Sequence, residues 1–417
     1  MLAEDVGTAL EQRFRTGHGR IVAALTRRFG VERMPLVENA VQEAYVRALE
    51  RWPAEGVPDE PERWLVRVAH NALVDGLRRD APMQSLEPND DVSIDPPSLE
   101  DDDELRLMFL CCHPALPRAA QIALVLNIAA GLTAAQIAKA FLSDERTVAQ
   151  RIVRAKQRVR EIGMRFDVPE GTALATSVAA ILDVLYIVFS EGAHPSGMAA
   201  TDEGLCKEAL RLSRLLTAEK RTATSAAFAL RAVLCFHSSR LPARTADDGS
   251  LLTLPEQDRA KWDRALIAEA FSCLELAGTG TDLSRFHLEA AIAACHALAS
   301  TFAATDWSRI VELYEMLREC APSVVVDVNR AFAIAMRSGA RAGLDELDAI
   351  PEREILARYP YALATYADLH ASLGNLDEAR DYLERALEYQ AETSQHLLLR
   401  RKRAALDHAG VGERWPL

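Results

Sequence analysis

"LTAAQIAKAFLSDERTVAQRIVRAK", residues 132–156, carries two short amphipathic segments around a tight turn. Thr133 followed by Gln136 is a capping box, in which a hydroxyl and an amide satisfy the free N–H groups at a helix start. Ile137, Ala138 and Phe141 then form an inner stripe, and Ala138 is small where two helices must approach closely. Ser143 is expected to cap the second helix, with Asp144 and Glu145 at the positive end of its dipole. Val148, Ile152, Ala155 and Val159 stand at i, i+4, i+7 and i+11, which puts them on one apolar face. Arg146, Thr147, Gln150, Arg151, Arg154 and Arg158 are left on the outer face. Apolar inside and donor-rich outside is the pattern of a helix-turn-helix. Its second helix reaches base edges near its N-terminus, Arg to guanine and Gln to adenine, and phosphates farther along. A plain basic surface helix is the other reading of the same residues.

The chain as a whole has a formal charge of -13, which is at odds with a DNA contact until the charge is divided by segment. Residues 1–79 hold twelve bases and twelve acids, residues 80–103 hold nine acids and no base, and residues 104–165 hold ten bases against four acids. From residue 166 onward 36 acids oppose 26 bases, so the acidity belongs to a strap and to the large C-terminal half. The strap, "DAPMQSLEPNDDVSIDPPSLEDDD", is rich in Pro, Asp and Ser and poor in aromatic and β-branched residues, so it reads as a flexible acidic linker.

Apolar residues recur at three and four throughout, and no alternating strand pattern persists, so the predicted fold class is all-α. At 417 residues several domains are expected. The first module spans residues 5–79, with helices near 5–29, 35–51 and 61–79 and "RWPAEGVPDEP" as punctuation before the last. After the linker at 80–103 comes a second module at 104–165, with helices near 104–112, 117–130, 133–141 and 145–162. A helical extension follows at 166–290.

Residues 291–408 bring a period. In "YPYALATYADLHASLGNLDEARDYLERALEY" the positions Leu363, Ala367, His370, Gly374, Ala379, Leu383 and Ala386 match the tetratricopeptide (TPR) unit of about 34 residues. With that unit starting at Pro360, two more start at Val325 (Phe332, Gly339, Leu344) and Ala291 (Ile310, Tyr314, Leu317, Pro322). Such repeats leave a concave groove that binds a peptide or another domain, or else serve as a helical support.

No run of eighteen apolar residues appears, and "MLAEDVGTALEQRFRTG" lacks the basic and apolar regions of a signal peptide, so a cytoplasmic location is expected. Seven scattered cysteines show no zinc spacing. The cluster "CCHP", from Cys111, is expected to hold buried, reduced thiols at a helix end rather than a metal. No metal site and no cofactor is expected.

Two stretches of the first module, "LVENAVQEAYVRAL" at 36–49 and "WLVRVAHNALVDGLRR" at 64–79, sharpen the reading. They resemble regions 2.2 and 2.3/2.4 of extracytoplasmic-function (ECF) sigma factors, and residues 131–156 resemble region 4.2, all in the right order and spacing. With "LMFLCCHPAL", "FDVPEG" and the repeat-like extension, nearly the whole chain resembles the group with a large C-terminal domain, often labelled ECF42. That resemblance implies binding to core RNA polymerase, at the β′ clamp and the β flap, and to promoter DNA at the -10 and -35 elements. It implies that Val41, Gln42, Glu43, Tyr45 and Arg47 dock on the clamp coiled coil. It also implies that Asn71 faces a flipped base of the -10 element while Arg67, Arg78 and Arg79 hold strand phosphates. Trp64 is expected to anchor its helix in the core, and His70 to be a partly exposed structural residue. The extension is implied to control activity, by contact with the sigma modules or by offering its groove to a regulator. The acidic linker is implied to thread toward the RNA path of the polymerase.

The pattern departs from the family at Glu38 and Asn39, where an acidic pair is common, and at "SDER", residues 143–146, where a "VPE" turn is typical. The alternative is a conventional helix-turn-helix transcription regulator with a TPR sensor domain, which leaves "WLVRVAHN" without a role. An enzyme built on Glu191 and His194 lacks a nucleophile, a second acid or a metal spacing, so no catalysis is expected.

Overall fold

The computed structural model describes residues 17–80, 96–141, 143–194, 201–246, 248–280, 282–389 and 394–408. Helices dominate, and no strand occurs among the described residues beyond an isolated bridge between Thr245 and Leu251. The chain divides into two compact units, Met1–Val188 with Arg211–Thr222, and Phe189–Leu210 with Ala223–Leu417.

The first unit opens with α1, residues 17–29; the rest of the helix expected from residue 5 lies outside the described residues. Next come α2 (Met34–Glu55) and α3 (Pro61–Asp80). Proline and the following turn were expected to end α2 near residue 51, but it continues through Pro53 to Glu55. Trp52 explains the extension, because it is 2% exposed and meets Trp64 edge-on at 5.5 Å, which pins the last turn to α3. Gly56, with φ 85°, then closes the helix where a side chain would be strained.

Residues 81–95, most of the acidic strap, lie outside the described residues. Its last three acids begin α4 (Asp101–Cys111), and Asp103 is fully buried against Arg27 and Arg106. Composition alone assigned these acids to the linker; ion pairing draws Asp103 into the fold. There follow α5 (Arg118–Leu124), a π turn (Val125–Ala129), α6 (Ala134–Ala140) and α7 (Glu145–Glu161).

The two modules pack together within this unit. A Cβ at Gly19 on α1 would stand 2.5 Å from the carbonyl oxygen of Ala129 and 2.6 Å from the Glu104 carboxylate, so only glycine admits this approach. Arg27 spans the same joint, with Glu100 at 2.6 Å. Buried beside it, His18 has its pKa lowered to about 4, first by burial and then by the Lys156 charge. A histidine depressed in the folded state contributes stability that is complete above the unfolded value near 6.5 and is lost as pH falls from there toward about 4. Urea melts at pH 7.5 and pH 4.5 should therefore show an acid loss of up to about 3 kcal/mol that His18→Phe removes; an unchanged difference in the variant contradicts the assignment.

Helix α8 (Gly171–Ala193) is the one helix among the described residues long and apolar enough to cross a membrane by length and composition, and half of that window is buried. Its Asp183 pairs with Arg118 at 2.8 Å, and Arg118 also donates to the Ala180 carbonyl at 2.7 Å. Arg211, on α9 (Glu203–Ala218), clasps Glu104 with two bonds of 2.8 and 2.6 Å, again inside the first unit.

The second unit contains α10 (Ser225–Ser239), α11 (Arg264–Ala277) and then helix pairs. The pairs are α12 (Arg285–Leu298) with α13 (Trp307–Cys320), α14 (Val324–Ser338) with α15 (Ala340–Ala349), and, after the short α16 (Arg353–Leu356), α17 (Pro360–Ser372) with α18 (Leu376–Glu388). Helix α19 (Ser394–His408) closes the series. Starts near Val325 and at Pro360 match helix starts, whereas the first pair begins at Arg285, not Ala291, because residues 299–306 form a longer connection. Each core joins neighbouring pairs: Leu288, Ile310 and Leu317 with Ala333, then Val328 and Leu347 with Tyr366 and Leu369, then Leu363 and Leu383 with Leu399 and Leu406.

Candidate nucleic-acid interface

Helix α3 turns Leu65, Val66, Ala69, Leu73 and Val74 inward. Arg67, Asn71, Arg78 and Arg79 are all exposed. Arg67, Asn71 and Arg78 are four and seven residues apart in turn, so they share one stripe, an amide flanked by two guanidiniums. Trp64 packs on Trp52, as a core anchor does. His70 differs from its expected partial exposure: it is 1% exposed and stacks at a tilt on Phe29, 5.5 Å between rings, so no DNA contact is open to it.

On α2, Gln42, Glu43 and Arg47 are exposed, with Arg47 bonded to Glu43 at 2.5 Å. Val41 and Tyr45, expected on the same docking surface, point inward and are buried. They stand on the helix stripe that faces the core, and burial also raises the Tyr45 phenol pKa. Exposed Leu36, Val46 and Leu49 instead supply the apolar part of that outer face.

The helix-turn-helix is α6, its turn and α7. Thr133 and Gln136 form the capping box, with bonds of 3.2 and 2.8 Å. The cap of α7 is Asp144, not Ser143: its carboxylate accepts from the Thr147 amide at 2.8 Å and from the Thr147 hydroxyl at 3.1 Å. A carboxylate is the stronger acceptor at the positive end of a helix dipole, which favours Asp144 over its neighbour. Val148, Ile152, Ala155 and Val159 are buried, while Arg146, Thr147, Gln150, Arg154 and Arg158 are exposed and Arg151 is half-buried.

One base of α7 turns the other way. Lys156 is bonded to Glu38 of α2 and donates to Asn127 Oδ1 at 2.9 Å, while Asn127 Nδ2 holds the Leu132 carbonyl at 2.9 Å. Glu38 is 7% exposed, and its second carboxylate oxygen is buried without a partner. Burial raises the Glu38 pKa, and the Lys156 charge opposes that rise. Asn127 sits in the π turn, a helix irregularity that frees its side chain to reach the pair. The joint was not foreseen, although a signal existed: Glu38 falls on the stripe of Met34, Val37 and Val41, where a charge needs a buried partner.

Cys111 and Cys112 are buried, and burial pushes the Cys112 thiol up to about 12, so both are inert packing groups. Among the described residues no cluster of His, Cys, Asp and Glu stands ready for a metal ion.

Residues 15–82 match Sigma-70 region 2, and residues 106–159 match Sigma-70, region 4. Residues 177–278 match a family of unknown function, DUF6596. The chain is an ECF-type sigma factor with a C-terminal extension. An uncharacterized protein of Rhizobium meliloti (strain 1021) is 38% identical over 399 residues, 93% of this chain and 92% of that one. No solved structure matches the sigma factor. Region 2 takes in α1 to α3, and region 4 runs from α4 to Val159, the last buried position of α7. The two regions give the sigma factor its role in transcription initiation, with core RNA polymerase and promoter DNA as partners.

Proposed function

We propose that this sigma factor reads promoters in two parts that the free chain holds together. Asn71 contacts a -10 base in the opened strand, Arg67, Arg78 and Arg79 hold its phosphates, and α7 reads the -35 element with Arg146, Gln150, Arg151, Arg154 and Arg158. Thr147 serves mainly the cap, which orients the first turn of α7. Gln42, Glu43 and Arg47 with the exposed apolar residues of α2 form the polymerase face; Val41 and Tyr45 shape it from within.

The observation that carries this reading is the buried Glu38–Lys156–Asn127 joint between region 2 and region 4. Centres of -10 and -35 elements lie roughly 85 Å apart along B-form DNA at about 3.4 Å per base pair. Two touching modules of this size span about 60 Å together, from a radius of gyration of about 11 Å each. The joined modules are therefore a resting form, and promoter recognition requires the joint to part. The C-terminal domain controls this step. The groove of the TPR-like pairs, the ECF42 grouping and a cytoplasmic location belong to the same reading.

Run-off transcription with purified core polymerase tests it: added protein should yield promoter-specific transcripts, and none with any promoter fragment, even for variants lacking the joint, contradicts it. Arg151→Ala and Arg154→Ala should each weaken promoter binding and lower the slope of log affinity against log salt by about 1. A footprint over the -35 region that keeps its affinity and salt slope removes these residues from the interface.

A further inference from the structure

The C-terminal half carries ten more acids than bases, yet it gathers three arginines in one place. Arg240 follows α10, Arg244 follows a short 3-10 turn (Leu241–Ala243), and Arg259 opens another (Arg259–Lys261). Between them lies Trp262, 3% exposed, with the guanidinium of Arg259 4.5 Å and that of Arg240 5.6 Å from its ring centre. Arg240 donates to the Gln257 side chain at 3.1 Å, and Arg259 to the carbonyls of His296 and Ala299 at 2.6 and 2.8 Å. All these acceptors are neutral. Among the described residues no carboxylate pairs with any of the three arginines, whereas in the same unit Arg231 pairs with Glu269 and Arg330 with Glu315 and Glu346.

Donors are also left over. Arg244 is 7% exposed, and its Nε, Arg259 Nη2 and Trp262 Nε1 are buried without a partner. Burial and the neighbouring Arg244 and Arg259 pull Arg240 down to about 9, and burial with Arg240 and Arg259 pushes His296 down to about 3. His237 is likewise held well below its usual value by burial and by Arg240 and Arg244. The imidazoles are thus neutral, and the charge of the cluster is that of its arginines. Arg244 is buried and Arg240 and Arg259 are half-buried, and holding like charges together partly out of water is costly unless an opposite charge enters with them.

We propose that Arg240, Arg244 and Arg259 form a binding site for the phosphoryl group of a small phosphate ester. A carboxylate brings one charge and two oxygens, while a phosphoryl group brings up to two charges and three strong acceptors, a closer match to three forked donors. The organic part has a place nearby. His296 and the Thr253–Glu256 turn, next to Gln257, line a cavity of about 670 Å³ walled by Phe302, Trp307, Tyr314 and Phe332 together with the ion pairs Glu256–Arg401 and Asp368–Lys402, within the usual size range of small-molecule sites. The ligand class is accordingly a phosphate carried on a planar, apolar group. The site goes beyond the promoter reading and stands or falls independently of it.

The test is binding to the full chain at constant ionic strength, by equilibrium dialysis and melting temperature, with inorganic phosphate, phenyl phosphate, benzoate and chloride. Phenyl phosphate should bind saturably and raise the melting temperature, inorganic phosphate should do so more weakly, and benzoate and chloride should not. Arg244→Gln and Arg259→Gln should each weaken phenyl phosphate about tenfold or more; the second variant serves if the first does not fold. Inorganic phosphate binding as tightly as the ester overturns the place given to the cavity. Benzoate matching phenyl phosphate overturns the phosphoryl assignment, and no saturable binding of either phosphate by the wild-type chain overturns the site.

Discussion

Lys156→Met is expected to part region 2 from region 4. Removing one member of a buried ion pair typically costs about 3–5 kcal/mol, since the remaining charge stays out of water without its partner. Here that charge is Glu38, which is 7% exposed and already has one unpartnered oxygen. The penalty falls on the joined form alone, because in the parted form Glu38 regains water. Promoter binding and transcription should then rise at limiting polymerase, with helix content by circular dichroism unchanged. The double variant Glu38→Leu, Lys156→Met should close the joint again, as apolar pairs of similar volume often replace buried ion pairs without loss. Equal behaviour of single and double variants makes the joint a passive contact.

Asn71→Ala should act at a different step. Asn71 is exposed on α3, so its loss leaves the core of Leu65, Ala69 and Leu73 intact and should not alter stability. What it removes is an amide offering both a donor and an acceptor to a base edge, worth about 1–3 kcal/mol of discrimination. Open-complex formation should fall roughly ten- to a hundredfold by the same magnitude, read as permanganate reactivity of unpaired thymines, while affinity for core polymerase is unchanged. Equal loss on every -10 sequence assigns Asn71 to backbone holding instead of base reading.

Much of this was legible in the sequence because it is local. The capping box at Thr133, the apolar stripe of α7 and the exposed arginines depend on spacing along one helix, and spacing survives in the fold. Failures came where a distant partner decides the outcome. Asp101–Asp103 read as linker because their composition is that of a linker, but Arg27, more than seventy residues away, recruits Asp103 into the core. His70 read as partly exposed, yet Phe29 covers it. Val41 and Tyr45 carry the motif of a docking helix while facing inward, since a motif marks a helix and not one side of it. Lys156 counted among the bases of α7, and nothing along that helix names Glu38 or Asn127 as its partners.

The separation of the two promoter-reading modules is best measured by energy transfer between labels at Asp59 and Glu161, both exposed, in a chain whose accessible Cys320 is replaced by serine. In the free protein transfer should be high. With core polymerase and a promoter that yields transcript it should fall to near zero, because the -10 and -35 centres lie roughly 85 Å apart. High transfer retained in the transcribing complex contradicts the closed resting form and the joint's role in it.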